Sequence, residues 1–402
     1  MIERYLEKLC FSKIFGRQMR FVAGPRQVGK TTLAKKYLKD TGFEDLYYNW
    51  DLRTIKRRFI DDPYFYHSDA ITIKTRRKKW ICFDEIHKYP RWKDILKDGF
   101  DSFEQKYNFI VTGSARLDLF RKAGDSLSGR FFLFRLLPVS LFELMKSNFV
   151  LPTGNAIEYI EENIKSHCNQ KQLDQLLKFG GFPEPLLKGN AVFSSNWHNN
   201  YIDTLVRSDL RDLTKIQELE NIVTLMHLLP AKIGSPLSLN SLREDLNVSF
   251  NAIKNYVNSL ILTYVIFNIS PYSEKISRAV KKEKKVYFYD WTQVKDKAAR
   301  FENYVACELK NRIELWNMAT KYTFNLNFIR LRDKRETDFI ITRDEKPFLL
   351  IETKLSSKNF ESHNIDHSKI LNVPLVQLIH DPDVIKAGKD NCYIVSASNF
   401  LS

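Results

Sequence analysis

Residues 24–31 read Gly-Pro-Arg-Gln-Val-Gly-Lys-Thr, a loop pattern that dictates its own surroundings. It follows the apolar run Phe21-Val22-Ala23 and precedes a helical pattern carrying Leu33, Ala34, Tyr37 and Leu38. A glycine-rich loop between a strand and a helix curls so that its backbone N–H groups face a phosphate, and the helix adds the positive end of its dipole. Gly24 and Gly29 permit the curl, and Pro25, Arg26, Gln27 and Val28 complete the cradle. Lys30 is placed to reach the β- and γ-phosphates of a nucleotide, and Thr31 to hold Mg²⁺, with Thr32 beside it. The plain alternative is a glycine turn that merely carries Lys-Thr. The strand before it and the helix after it argue against that.

The other parts of such a site come in order along the chain. Trp80-Ile81-Cys82-Phe83-Asp84-Glu85 is an apolar strand ending in two acids. A buried parallel strand reads as a continuous apolar run, and ligands gather at its carboxyl end. Asp84 is therefore placed on Mg²⁺, directly or through water, and Glu85 on the attacking water, which it orients or deprotonates. A third apolar strand, Phe109-Ile110-Val111, ends in Thr112-Gly113-Ser114. Thr112 and Ser114 are both candidates to sense the γ-phosphate, with a simple turn as the alternative. Ser128-Gly129-Arg130 leads into Phe131-Phe132-Leu133-Phe134, and Arg130 is a candidate for the positive charge that steadies a transferring phosphoryl group. A surface ion pair reads equally well. Arg116 is a weaker candidate for the same role.

A chain of 402 residues is too long for one core and predicts two or three domains. The apolar share of 44% and charged share of 28% are those of a globular chain. The longest apolar stretch, Leu260 to Ile269, is about half a membrane span, so no membrane role is expected. The five cysteines are scattered and never form a Cys-x-x-Cys pair, which argues against disulfides and structural zinc. With no charged-then-apolar leader after Met1, the expected location is the cytoplasm. The net charge of +15 favours a polyanionic partner, nucleic acid first and DNA above RNA. Basic clusters lie at Arg53-Lys56-Arg57-Arg58, at Arg76-Arg77-Lys78-Lys79 and at Lys281-Lys282-Lys284-Lys285. The second precedes the Asp84 strand and so belongs at the sheet edge opposite the nucleotide. The third suits a charged wing or loop.

The alternation of strands and helices over residues 1–145 predicts a parallel α/β domain. Residues 146–214 read as a helical lid or connector, broken by Gly180-Gly181-Phe182-Pro183. Residues 215–297 read as a winged helix-turn-helix. Leu219 to Leu229 marks a first helix, Asn240 to Leu246 a second, and Ser249 caps a third carrying Ile253, Val257 and Leu260. Its outward residues would be Asn251, Lys254, Asn255 and Asn258, which suits a major groove. A helical domain that only bridges its neighbours is the alternative. Tyr264–Ile269 and Val286–Tyr289 would be the wing strands.

Residues 298–402 carry a second chemical pattern. Arg300 to Trp316 is helical, with Phe301, Val305, Leu309 and Ile313 in one stripe and Glu302 near its edge. Glu336 to Ile341 and Pro347 to Lys354 form a hairpin. Alternate strand residues share a face, so Glu352 and Lys354 point together and Asp338 lies across from them. Two carboxylates with a lysine make a Mg²⁺ site able to activate water against a phosphodiester. Ordinary acid–base pairing on an exposed hairpin is the alternative. His363 and His367 have helical spacing but no placed acidic third ligand, and read as surface.

Gly24-Pro-Arg-Gln-Val-Gly-Lys-Thr31, Phe83-Asp-Glu-Ile-His87, Thr112-Gly-Ser-Ala115 and Ser128-Gly-Arg130 resemble the AAA+-type P-loop ATPases of a large, poorly characterised bacterial and archaeal family. Ala299-Arg-Phe-Glu-Asn-Tyr-Val-Ala306, Glu336-Thr-Asp338 and Ile351-Glu-Thr-Lys354 resemble that family's C-terminal PD-(D/E)xK nuclease-like domain. The resemblance implies ATP and Mg²⁺ as cofactors, with Lys30, Thr31, Asp84 and Glu85 in the ATPase site. It implies Asp338, Glu352 and Lys354 in the nuclease-like site, with Glu302 as a fourth member. Thr337 replaces the proline of the motif's name. If Arg130 acts in trans, the protein must be a homo-oligomer. The function expected is ATP hydrolysis coupled to action on DNA, with a Mg²⁺-dependent nuclease domain as part of that reading, against a nucleotide-dependent switch that recruits partners and whose nuclease-like domain only binds.

Overall fold

The computed structural model describes residues 2–113, 127–165, 169–210, 219–273, 283–331 and 335–402. Ser114, Arg116, Lys281 and Lys282 lie outside these residues. The chain forms two compact units, one of Arg4–Leu137 with Leu262–Tyr264 and one of Pro138–Ile261 with Val265–Ser402.

The first unit is built on five strands: β1 (Met19–Ala23), β2 (Tyr47–Asn49), β3 (Lys79–Asp84), β4 (Tyr107–Thr112) and β5 (Phe131–Arg135). Their order is β2-β3-β4-β1-β5, and every pairing is parallel. Every residue of β1 is buried, as are Trp80–Asp84 of β3, which is why these strands read as unbroken apolar runs. Parallel strands all end on one side of the sheet, so Ala23, Asp84 and Thr112 reach the same edge.

The second unit holds an eight-stranded mixed sheet in the order β12-β13-β11-β10-β9-β8-β6-β7. Here β6 is Ile266–Pro271, β7 Lys285–Phe288, β8 Phe324–Arg330, β9 Glu336–Arg343, β10 Lys346–Lys354, β11 Leu375–Ile379, β12 Ile385–Ala387 and β13 Cys392–Ser396. The helix Lys297–Ala319 is lined with buried residues, among them Phe301, Val305, Leu309 and Ile313. Ile329, Ile340, Leu350, Leu375 and Cys392 form one apolar cluster in this sheet.

This division differs from four consecutive domains. The first boundary falls at Leu137 rather than 145, because Pro138 onward belongs to the second unit: Val139 N donates to Gly181 O at 2.7 Å and Leu141 N to Glu308 Oε1 at 2.8 Å. The boundary expected at 297 is bridged as well. The two wing strands do pair antiparallel, Ile266 opposite Phe288, but β6 also pairs with β8. Across the same junction, Asn303 Oδ1 accepts from Phe288 N at 2.9 Å and its Nδ2 donates to Phe288 O at 2.7 Å. The hairpin read as a free wing is thus the edge of the C-terminal sheet.

Three helices precede it, Leu219–Leu228, Leu239–Asp245 and Phe250–Leu262. Ser249 Oγ accepts from Ala252 N at 3.1 Å at the start of the third helix. Ile253, Val257 and Leu260 face inward, while Asn251, Lys254, Asn255 and Asn258 are exposed. No helix among the described residues is long and apolar enough to cross a membrane.

Candidate functional site

The loop after β1 turns through backbone that only its glycines accept cheaply. Gly24 has φ +147°, and a Cβ there would lie 2.1 Å from the Leu136 carbonyl oxygen. Gly29 has φ +105° and opens the helix Lys30–Thr41. Gln27 is left-handed at φ 60°. Val28 is fully buried, and its carbonyl accepts from Arg4 Nη1 at 3.1 Å, while Arg4 Nη2 donates to Leu137 O. The loop is thus held from the amino-terminal side by a buried guanidinium. Gly24 and Pro25 are buried, Arg26 half-buried, and Gln27 and Thr32 exposed.

Lys30 is 6% exposed and donates to Gly24 O at 3.0 Å and Pro25 O at 2.7 Å. Its ammonium therefore lies against the loop, beside the N–H groups of a helix start that have no partner within the helix. Thr31 Oγ1 donates to Asp84 Oδ2 at 3.0 Å. Asp84, 2% exposed at the end of β3, also accepts from Tyr47 Oη of β2 and Thr112 Oγ1 of β4. A hydroxyl and a carboxylate on adjoining elements fit Mg²⁺, a hard cation that takes oxygen ligands. Burial and the Asp84 charge both raise the Tyr47 phenol above its usual range, so it stays a donor.

Glu85 comes next in a left-handed conformation, φ 59°. Its Oε2 lies 3.2 Å from Lys88 Nζ and 3.7 Å from His87 Nε2. Burial raises the Glu85 carboxyl above its ordinary value against the pull of Lys30 and Lys88. A raised carboxyl is a better proton acceptor for water than an ordinary one.

Arg130 is not part of this chain's own loop site. Phe131 pairs with Met19, so Arg130 stands where β1 and β5 begin, at the end of the sheet away from Gly24. Its Nε lies 2.7 Å from Asp101 Oδ1 and its Nη2 2.9 Å from Asp101 Oδ2. Parallel strands carry their first and last residues to opposite ends of the sheet, and there Arg130 forms an ion pair with Asp101, the other reading of this arginine. The cluster at Arg76–Lys79 runs into the first residue of β3 and lies at that same far end.

A second constellation lies in the eight-stranded sheet. Continuing the β9–β10 register places Asp338 across from Glu352. Asp338 N donates to Glu352 Oε2 at 3.3 Å, and Asp338 Oδ2 accepts from Thr353 N at 2.9 Å and Thr353 Oγ1 at 2.7 Å. Lys354 Nζ lies 2.9 Å from Glu352 Oε1 and 2.8 Å from Glu361 Oε1. Tyr287 Oη donates to Glu302 Oε1 at 2.8 Å. Burial, together with the Asp338 charge, pushes the Glu302 carboxyl up to about 7 and the Glu352 carboxyl up to about 8, against nearby lysines.

The lysine in the middle was not expected there. Lys285, read as part of a charged wing, is fully buried, with Nζ 2.5 Å from Glu336 Oε1, 3.2 Å from Glu302 Oε1 and 3.8 Å from Asp338 Oδ1. Burial alone would lower its ammonium; the three carboxylates outweigh that and raise it. Among the described residues no three His, Cys, Asp or Glu side chains are grouped to hold a metal ion. At the expected pair of Asp338 and Glu352, the carboxylates are engaged by Lys285, Lys354 and Thr353 as the side chains stand. His363 and His367 are corrected too. His367 is buried, with Nδ1 2.7 Å from Thr337 Oγ1, and His363 Nε2 lies 2.7 Å from Glu336 O.

Residues 16–145 match the family described as an AAA domain. Residues 170–292 match a domain of unknown function, DUF8612. Among curated relatives, the uncharacterized protein MJ1544 of Methanocaldococcus jannaschii is 26% identical over 87% of this chain and 78% of its own length. The uncharacterized protein Rv2008c of Mycobacterium tuberculosis is 23% identical over 67% of this chain, which spans 53% of that protein. Among solved structures, the Aeropyrum pernix Orc1 protein in complex with DNA is 13% identical, with a TM-score of 0.29 over 73% of this chain and 88% of that one.

Within the AAA-like unit, sequence reasoning overlooked Arg4 and Tyr47. Arg4 left no readable signal, since its partners are carbonyls far along the chain. In the C-terminal sheet it overlooked Glu336 and Lys285. Both were discoverable: Glu336 shares a strand face with Asp338, and Lys285 alternates with Tyr287 at the head of an apolar run.

Proposed function

We propose that this chain binds and hydrolyses ATP at the loop site and acts on DNA. The observation that carries this reading is the Lys30–Thr31–Asp84–Glu85 arrangement at the end of the parallel sheet. Lys30 neutralises β- and γ-phosphate charge, the loop amides and helix start hold the phosphate oxygens, and Glu85 orients or deprotonates water. Thr31 and Asp84 would hold Mg²⁺, which when bound neutralises charge developing on the phosphates. Thr112 ties β4 to Asp84; Ser114 remains the other candidate near the γ-phosphate. Arg130, at the end of the sheet away from the loop, would serve a neighbouring copy, which makes a homo-oligomer part of the reading.

Glu85→Gln tests the chemistry. It keeps size and hydrogen bonding but cannot take a proton. We expect nucleotide affinity within a few-fold of the parent and hydrolysis lower by about 10²–10⁴-fold. Equal hydrolysis in an ATPase assay would remove Glu85 from its role.

The DNA half rests on the +15 charge and the exposed Asn251, Lys254, Asn255 and Asn258 face. DNA affinity, followed by fluorescence anisotropy, should fall steeply between 50 and 200 mM salt, about 10³-fold or more for six or more phosphate contacts. A flat response would favour the second reading, a nucleotide-dependent switch that recruits a protein. In the first reading the C-terminal domain is a Mg²⁺-dependent nuclease and in the second it only binds; the pairing of the carboxylates around Asp338 with lysines and Thr353 supports binding.

A further inference from the structure

The C-terminal acidic cluster contains a cation of its own. Lys285 reaches it from β7, and the backbone there is held on both sides. One side pairs with β6, where Lys285 stands opposite Ile269. On the other, Lys285 bridges to Pro236, and the preceding Lys284 carbonyl accepts from Leu237 N at 2.8 Å. The side chain has no exposure, so its ammonium cannot reach solvent by a simple rotation. Glu302 is walled in on its other sides. Tyr287 Oη donates to it at 2.8 Å, and a Cβ at Gly234 would stand 2.9 Å from its Oε2.

We propose that Lys285 is the resident cation of this site: its ammonium holds the position between Glu302, Glu336 and Asp338 that a divalent ion would need, and so closes the cluster to Mg²⁺. An ammonium offers three donors, and three carboxylates surround this one. A divalent ion bound at about 2.1 Å to the same oxygens would sit against the ammonium, and the repulsion is strong where water is excluded. Glu352 is itself paired with Lys354, at 2.9 Å. Arg330 Nη1, 3.1 Å from Glu336 Oε2, adds a further positive charge. The inference goes beyond the ATPase reading and stands apart from it, because it concerns the chain without nucleotide.

The test is Mn²⁺ binding by the nucleotide-free full chain, read by calorimetry and by the paramagnetic resonance of free Mn²⁺. Asp338→Asn assigns any uptake to this cluster. The wild-type chain should take up no equivalent that Asp338→Asn removes. Lys285→Met keeps the stem and deletes the charge; it should gain one equivalent, bound about tenfold tighter or more, and lose it again on adding Asp338→Asn. Wild-type uptake that Asp338→Asn abolishes would overturn the proposal. So would a folded Lys285→Met that binds Mn²⁺ no better than wild type. If Lys285→Met does not fold, the wild-type comparison decides alone, because it leaves Lys285 in place.

Discussion

Lys30→Ala is expected to lower ATP hydrolysis by about 10²–10³-fold, the loss of one charged stabiliser of a developing anion in a site shielded from water. The geometry gives the reason. Lys30 is 6% exposed at the mouth of a helix and sits against Gly24 O and Pro25 O. Arg130 stands at the far end of the sheet and cannot replace the lost charge within the same chain. Deleting the ammonium also removes two hydrogen bonds that shape the loop, at about 1 kcal/mol each. Melting must therefore be followed beside turnover. A variant that melts within a few degrees of wild type yet hydrolyses nothing locates the effect in the chemistry. Hydrolysis at the wild-type rate would sink the assignment of the loop.

Gly24→Ala should be the most damaging single methyl group in the first unit. The added Cβ would meet the Leu136 carbonyl oxygen at 2.1 Å, and that oxygen is backbone, with no rotamer to turn aside. The adjoining pairing of β1 and β5 is closed by Leu136 N donating to Ala23 O at 2.9 Å, so relief would have to come from both strands. A side chain at φ +147° is strained as well. Overpacking and strain each cost about 1–3 kcal/mol, together about 2–6. Gly29→Ala is the control. Nothing lies within 4 Å of its Cβ position, so only the φ of +105° counts, at about 1–3 kcal/mol. Calorimetric scans should rank Gly24→Ala well below Gly29→Ala. The reverse order would mean that the loop after β1 does not run against Leu136.

The first unit was legible because its strands are buried on both faces and its loop has a fixed chemistry. Phe21-Val22-Ala23, Ile81-Cys82-Phe83 and Phe109-Ile110-Val111 announced β1, β3 and β4, and the parallel arrangement is the natural result of the helices between them. Whether Arg130 served its own chain, a neighbouring copy or only an ion pair was open in the sequence, because order along the chain names the residues next to a strand, not the end of the sheet on which they fall. The Asp338–Glu352 pairing was legible from strand alternation. Its environment was not, because Lys285 lies far from both in sequence and arrives only through the β6–β8 pairing. A lysine among lysines reads as a solvated run; the apolar Val286 and Tyr287 after it were the sign that the last of the four enters the sheet. The histidines failed for a similar reason, since their partners Thr337 and Glu336 come from another element.

Asp84 ties three neighbouring pieces of the first unit to one carboxylate: the Tyr47 phenol, the Thr31 hydroxyl and the Thr112 hydroxyl all spend their protons on it. A cation settling on Asp84 would share its oxygens with those protons, which occupy three of the carboxylate's roughly four lone-pair positions. Arrival of a charged guest there would be felt at the tips of β2 and β4 and at the head of the helix from Lys30, because all three hydroxyls share its carboxylate. The carboxylate that would grip the ion is also the knot that ties β2, β4 and the helix together.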